Sequence, residues 1–169
     1  MQNALLPALM VICIAVMRAM RHSAERAEER ESAVRGGDFA CEYREFGGME
    51  GRELTLRMTA NAKGARLFVS DKLLDEKTET EEEYPLPAEA ADALIAVYLE
   101  RGVWRWRDLK PSRIFALDAP TKRVTFTTAL GENAFDSRDR LPKKGRGAIG
   151  EVYNSLNGWR DIFNAAKRG

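Results

Sequence analysis

The pattern of residues 54–70, LTLRMTANAKGARLFVS, predicts two β-strands joined by a turn. Leu54, Leu56 and Met58 alternate with polar or charged residues, as in a strand that buries one face. The turn is expected at residues 61–64, where asparagine and glycine favour a reversal of the chain. The residues after the turn alternate again, so the sequence predicts an antiparallel hairpin.

The segments on either side extend this hairpin into a sheet. Phe39, Cys41 and Tyr43 also alternate with other residues, so a strand over this stretch would complete a three-stranded meander. Residues 71–92 are strongly acidic, and we interpret them as a solvated edge strand whose charges oppose edge-to-edge pairing. A calcium site in this stretch is the alternative, but the Asp-x-Asp-x-Asp-Gly spacing that it needs is missing.

Two helices and further strands follow. The first helix is expected between Pro87 and Gly102, because apolar residues recur there at helical spacing. Strands are predicted at residues 114–117 and 124–127, and a short sixth strand around Phe135. A closing helix has an apolar stripe of Ile149, Val152, Tyr153, Leu156 and Phe163. The sequence therefore predicts an α+β fold, with an antiparallel sheet of five to six strands and two packed helices in the order βββ-α-ββ(β)-α.

The N-terminus predicts a membrane anchor. Residues 1–17 contain no charged side chain, and we expect residues 1–20 to form a hydrophobic helix that attaches the chain to a membrane. Seventeen helical residues span roughly 25 Å, somewhat less than the ~30 Å hydrocarbon core. The flanking arginines lie C-terminal to the segment, so a single-pass topology would place the globular domain in the cytoplasm. A cleaved signal peptide, leaving the domain outside the cytoplasm, and a true start at Met17 or Met20 are the alternatives.

Composition restricts the chemistry. The chain has 169 residues, a net charge of +1, one histidine and two cysteines, Cys13 and Cys41. Catalysis by histidine, a histidine metal site and a disulfide framework are therefore not expected, and we predict neither a metal nor a cofactor. Residues 21–37 predict a charged helical stalk that ends at two glycines, and residues 38–169 a single globular domain.

One candidate binding site lies around two tryptophans. Trp104 and Trp106 are two residues apart, so on an extended chain both rings would face the same side. Together with Arg105, Arg107 and Asp118 they could bind an unknown protein or small molecule. Stacking of single-stranded nucleic acid is the more specific hypothesis, but the balanced charge makes a nucleic-acid partner unlikely. Alternatively, one tryptophan covers the core and the arginines pair with acidic residues of the same domain.

A second candidate is a basic cluster in a loop that contains glycine and proline. The cluster consists of Arg138, Arg140, Lys143, Lys144 and Arg146. These residues are interpreted either as a solvated loop or, beneath an anionic leaflet, as contacts to lipid headgroups, worth about 1 kcal/mol for each basic residue.

These features favour a membrane-anchored, non-enzymatic binding or protein-interaction domain. The alternative is a small envelope-associated hydrolase that uses carboxylates, with Asp118 and Glu132 as the candidate acids. Phosphate-binding glycine loops, nucleophile elbows and Cys-x-x-Cys motifs are missing from the sequence.

Several short motifs resemble an uncharacterised family of small bacterial domains, often found on lipoproteins or single-pass membrane proteins. The matching positions are Gly102-Val103, Trp106, Leu109, Leu117-Asp118, Ala129-x-Gly131-x-Asn133-Ala134-Phe135, Val152-Tyr153 and Leu156. The resemblance covers roughly residues 39–156 and implies the fold and an envelope association, but no activity. The chain departs from the pattern at Ala119-Pro120, where the family has glycine, at Asp136, where it has proline, and in a shortened strand pair. Asn133 is expected to bond its own backbone in a turn.

Overall fold

The computed structural model describes residues 5–49, 51–73, 79–112 and 119–168. The main elements are helix α1 (Leu5–Gly36), strands β1 (Phe39–Phe46), β2 (Arg52–Asn61), β3 (Gly64–Leu73) and β4 (Glu79–Leu86), helix α2 (Asp92–Glu100), strands β5 (Thr121–Thr128) and β6 (Gly131–Asp136), and helix α3 (Ala148–Arg168). Short 3-10 helices cover Ala88–Ala91, Val103–Arg105 and Lys143–Gly145. The chain divides into two compact units, Met1–Ala33 and Val34–Gly169.

The second unit is built on one antiparallel sheet of six strands in the order β4-β3-β2-β1-β5-β6. The predicted hairpin is its β2–β3 pair, with Asn61 opposite Gly64 at the turn. Gly64 has a φ of 132°, which side-chain-bearing residues rarely adopt, so glycine is required there. The predicted α+β class is thereby confirmed.

The two faces of the sheet differ because side chains alternate along each strand. On the inner face, residues such as Leu56, Met58 and Phe126 are fully buried. Helices α2 and α3 contribute Tyr98 and Leu156, both also fully buried, to the same core. The outer face carries charged and polar residues, so the unit is a sheet with helices on one side only.

Residues 79–86 of the acidic stretch form the predicted edge strand, because among the described residues β4 pairs only with β3 and ends the sheet. Residues 71–73 instead belong to β3, and residues 88–92 are helical. The predicted short strand around Phe135 is β6. The strand predicted at residues 114–117 lies outside the described residues. The hydrophobic helix and the stalk, predicted as two elements, form one helix, α1.

Apolar side chains of the first unit are exposed, among them Ile12, Val16, Met17 and Met20. Within the described part of the chain, no helix combines the length and the apolar character needed to cross a membrane. The membrane attachment of residues 1–20 stays a prediction, as do the domain boundaries at residues 20 and 37. Cys13 is exposed and Cys41 is buried, and both are free thiols.

Candidate anion-binding surface

The two tryptophans of the predicted site are separated by a turn of 3-10 helix. Gly102 has a left-handed backbone (φ 70°), and Val103–Arg105 then form the 3-10 helix. The chain is therefore not extended between Trp104 and Trp106, and the two rings are not presented together as the sequence suggested. Trp104 is half-buried, and the guanidinium of Arg105 lies 4.3 Å from the centroid of its ring.

Trp106 belongs to the core, with only 6% of its surface exposed. Its ring packs edge-on against Phe135, with the centroids 4.8 Å apart. The ring also lies so close to Gly145 that a Cβ at that position would be 2.5 Å from a ring carbon. Trp106 therefore fastens the loop around Gly145 to the core.

Asn133 secures the same region from β6, where it is buried. Its Nδ2 donates to the carbonyl oxygen of Trp106 over 3.3 Å, and its Oδ1 accepts from the Tyr98 hydroxyl over 3.0 Å. We expected this amide to bond its own backbone in a turn. Instead it joins β6 to α2 and to the segment after α2, and removal would leave two buried polar groups without these bonds.

The structure brings the two candidate regions together. The backbone N–H of Ser112 donates to the carbonyl of Arg138 over 2.5 Å, and that of Arg140 donates to the carbonyl of Lys110 over 2.8 Å. Pro111 and Asp139 form the antiparallel bridge between these bonds. We call residues 105–112 and 138–146, joined in this way, the basic ribbon.

The basic ribbon carries a concentrated positive charge. It contains eight basic and two acidic residues, a formal charge of +6, although the whole chain carries only +1. Its basic residues, all exposed, are Arg105, Arg107, Lys110, Arg138, Arg140, Lys143, Lys144 and Arg146. Lys110 lies directly opposite Arg140. Residues opposite each other in a β-pair point to the same face, so these two positive charges are neighbours.

Seven of these side chains have no ion-pair partner within the described part of the chain; Arg138 is not counted, because it has an interaction partner. The alternative prediction that these arginines pair with acidic residues of the same domain is therefore not met for Arg105 or Arg107 among the described residues. An anion that binds these seven side chains would not have to displace a carboxylate of the described residues.

Asp139 is the acidic residue at the centre of the ribbon. Its Oδ2 accepts the backbone N–H of Asp136 over 2.8 Å. Burial raises the pKa of the Asp139 carboxyl above its usual value, and the nearby charge of Asp136 adds to this, partly offset by the backbone hydrogen bond and by Arg123. Asp139 thus shapes the loop through this hydrogen bond.

Arg101, at the end of α2, links the ribbon to α3. Its Nη1 donates to the carbonyl of Lys144 over 3.0 Å, and its guanidinium forms an ion pair with Glu151 of α3. The role of Arg101 was missed because these partners lie 43 and 50 residues away. Lys110 was visible as a basic residue, but nothing in the sequence showed that it lies beside Arg140.

Of the two carboxylates predicted for the alternative enzyme, only Glu132 belongs to the described residues. Asp118 lies outside them. Glu132 is exposed on the outer face of β6, at the rim of a concave region that also contains Glu42 and Glu53. Within the described residues, no three histidine, cysteine or carboxylate groups converge on a possible metal position.

Comparison of the chain with models of protein families finds no match, and no curated protein matches it. The resemblance to the bacterial envelope family therefore stays a prediction, and the basic ribbon is the feature from which a function can be argued.

Proposed function

We propose that this protein is a non-enzymatic binding domain whose basic ribbon contacts anionic phospholipid headgroups. The observation that supports this most strongly is a set of seven exposed basic side chains on two segments joined by hydrogen bonds. None of the seven has a carboxylate partner among the described residues. Phosphate oxygens of headgroups are strong acceptors for arginine and lysine donors, and an anionic leaflet presents many of them side by side.

The energy available is sufficient for reversible binding. Each basic residue near an anionic leaflet contributes about 1 kcal/mol, and the contribution falls off within a Debye length. Trp106, Asn133 and Arg101 hold the backbone of the ribbon, so little backbone entropy is lost when it binds. The proposed membrane attachment of residues 1–20 would bring the ribbon to a bilayer, on the cytoplasmic side if the flanking arginines set the topology.

A nucleic-acid partner has less support. Binding of single strands combines a basic groove with aromatic rings on which bases stack. Trp106 is buried in the core, and one face of Trp104 already has the Arg105 guanidinium beside it. The ribbon therefore offers the charge for phosphate contacts but lacks a paired aromatic platform among its described residues.

Vesicle co-sedimentation of the full chain tests the proposal. The chain should bind vesicles of phosphatidylglycerol and phosphatidylcholine more strongly than vesicles of phosphatidylcholine alone, and salt should reduce the difference. The variant R140Q/K143Q/K144Q/R146Q should lose this preference. Binding to neutral vesicles reports the contribution of the N-terminal segment, which the substitutions do not touch.

The matched control removes the same charge elsewhere. The variant K63Q/R66Q/R123Q/R168Q changes four exposed basic residues outside the ribbon and should keep the preference for anionic vesicles. Equal binding of the unmodified chain to anionic and neutral vesicles, or equal losses in the two variants, would contradict the proposal.

A further inference from the structure

A separate pocket lies at the end of the sheet, and no residue of the basic ribbon lines it. Its volume is about 470 Å³, and its walls come from the β1–β2 loop, the start of β5 and helix α3. Glu45, Arg52 and Lys122 supply the charged part of the lining, and much of the remainder is apolar. A pocket with a few converging polar groups on an apolar wall is the usual form of a small-molecule site.

A buried tyrosine fixes the acidic group of this pocket. The hydroxyl of Tyr43 donates to Glu45 Oε2 over 2.6 Å, and the Tyr43 ring packs 5.1 Å from that of Tyr153. Burial, together with this hydrogen bond to Glu45, raises the pKa of Tyr43 far above its usual value, so the hydroxyl keeps its proton. One carboxylate oxygen of Glu45 is thereby occupied from within the protein.

The two cations of the pocket keep donors available. The Nζ of Lys122 is 4.0 Å from Glu45 Oε2, too far for a hydrogen bond. Arg52 donates from Nε to Asp71 Oδ1 over 2.9 Å and from Nη2 to Asp71 Oδ2 over 2.6 Å. This fork positions the guanidinium and uses two of its five N–H groups, which leaves three for a ligand.

The net charge of the side chains at this pocket indicates which ligands the pocket would bind. Arg160 also donates to Asp71 Oδ2, over 3.1 Å. Three cations, Arg52, Lys122 and Arg160, therefore lie near two carboxylates, those of Glu45 and Asp71. The formal charge of these five groups is +1, so one bound negative charge would neutralise it. A dianion would be repelled by Glu45, which lines the pocket, whereas a cation would face an excess of positive charge.

The loop that closes the pocket depends on glycine. Gly47 and Gly48 have φ values of 77° and 79°, and a Cβ on Gly48 would lie 3.2 Å from the nitrogen of Pro120. Glycine at position 48 lets the chain approach Pro120 closely, so Gly48 and Pro120 line the pocket side by side. Leu54, which is buried, contributes further apolar surface.

We propose that this pocket binds a small organic monocarboxylate. The carboxylate accepts hydrogen bonds from Lys122 Nζ and from the N–H groups of Arg52 that Asp71 leaves unused. The apolar body of the ligand packs against Leu54, Pro120 and the ring of Tyr153. An inorganic anion would leave this apolar wall uncovered, and this site is independent of the lipid contacts proposed for the basic ribbon.

Equilibrium dialysis of the full chain with radiolabelled benzoate tests the proposal. Benzoate should bind saturably at one site per chain, and neither benzamide nor inorganic phosphate should compete at equal concentration. The substitution K122Q should weaken binding at least about tenfold, since a charge-assisted hydrogen bond is lost. The matched control K63Q, at an exposed turn lysine outside the pocket, should bind as the unmodified chain does.

A second pair of variants guards against a folding defect. Met49 lines the pocket with 88% of its surface exposed, so neither M49E nor M49Q should disturb the core. The added charge of M49E should weaken benzoate binding, and M49Q should leave it nearly unchanged. Absence of saturable binding, competition by benzamide as strong as that by benzoate, or equal affinity in K122Q and K63Q would each overturn the proposal.

Discussion

The charged residues around the sheet and α3 differ from those of the basic ribbon in whether they have partners. Around the sheet, arginines face carboxylates on neighbouring elements, as in the pairs of Arg44 with Glu53 and Arg52 with Asp71. In the ribbon, seven basic side chains have no such partner within the described residues. The charged residues of the first region therefore connect neighbouring elements of the fold, whereas the ribbon presents side chains that no such pair occupies in the described structure.

The largest expected effect tests whether the ribbon is fastened through the core. Trp106→Ala removes a buried ring that packs against Phe135 and covers Gly145. Loss of this packing should lower the free energy of unfolding by about 3–5 kcal/mol. Chemical denaturation measures this loss, and a decrease below about 1 kcal/mol would show that the ribbon is not fastened in this way.

The second-largest effect is expected among the ion pairs around the sheet. Asp71 is only 17% exposed and receives bonds from two arginines, so Asp71→Asn should cost about 1–3 kcal/mol of unfolding free energy at neutral pH. The hydrogen bond from Arg52 lowers the pKa of Asp71 against the opposing effect of burial, with Arg160 adding to the decrease.

Because this folded-state pKa is lowered, the stabilisation by Asp71 is present above the unfolded value of about 3.9 and is lost as the pH falls through the folded value. Thermal melts of both proteins should therefore differ at neutral pH and converge in acid. A difference that does not decrease at all as the pH is lowered below the unfolded value of about 3.9 would rule out this assignment.

A smaller effect on stability is expected from the ribbon itself. The variant R140Q/K143Q/K144Q/R146Q removes four exposed cations that have no carboxylate partner among the described residues. Its unfolding free energy should therefore change by no more than about 0.5 kcal/mol. Denaturation curves alongside the vesicle assay separate stability from binding. A loss as large as that of Asp71→Asn would abolish the distinction between the two regions.

The smallest effect is expected at Asp139, where the pKa shift has the opposite sign. Burial raises the pKa of Asp139, so protonation favours the folded state. The stabilisation is complete below the unfolded value of about 3.9 and is lost as the pH rises through the folded value. Asp139→Asn should therefore be neutral or stabilising by up to about 0.5 kcal/mol at pH 7. Melting temperatures at neutral pH check this, and a clear decrease would mean that the carboxylate charge is needed.

Local patterns determined much of the fold. Alternation along β1, β2 and β3 and the glycine at the β2–β3 turn predict the central meander, because strand geometry places alternate side chains on opposite faces. Helical spacing in the same way predicts α2 and α3, including the buried Tyr98 and Leu156. These features depend on residues close together in the chain.

The sequence by itself therefore determined the α+β class, the acidic edge strand and the presence of two basic stretches. Only the tertiary structure decided that Trp106 is buried, that Lys110 lies beside Arg140, and that Arg52 and Lys122 line one pocket. The physical reason is that strand and helix periodicity act over a few residues, whereas charge pairing and burial depend on contacts between distant parts of the chain. Whether a cation has a partner is such a contact, and it distinguishes the basic ribbon from the charged residues around the sheet.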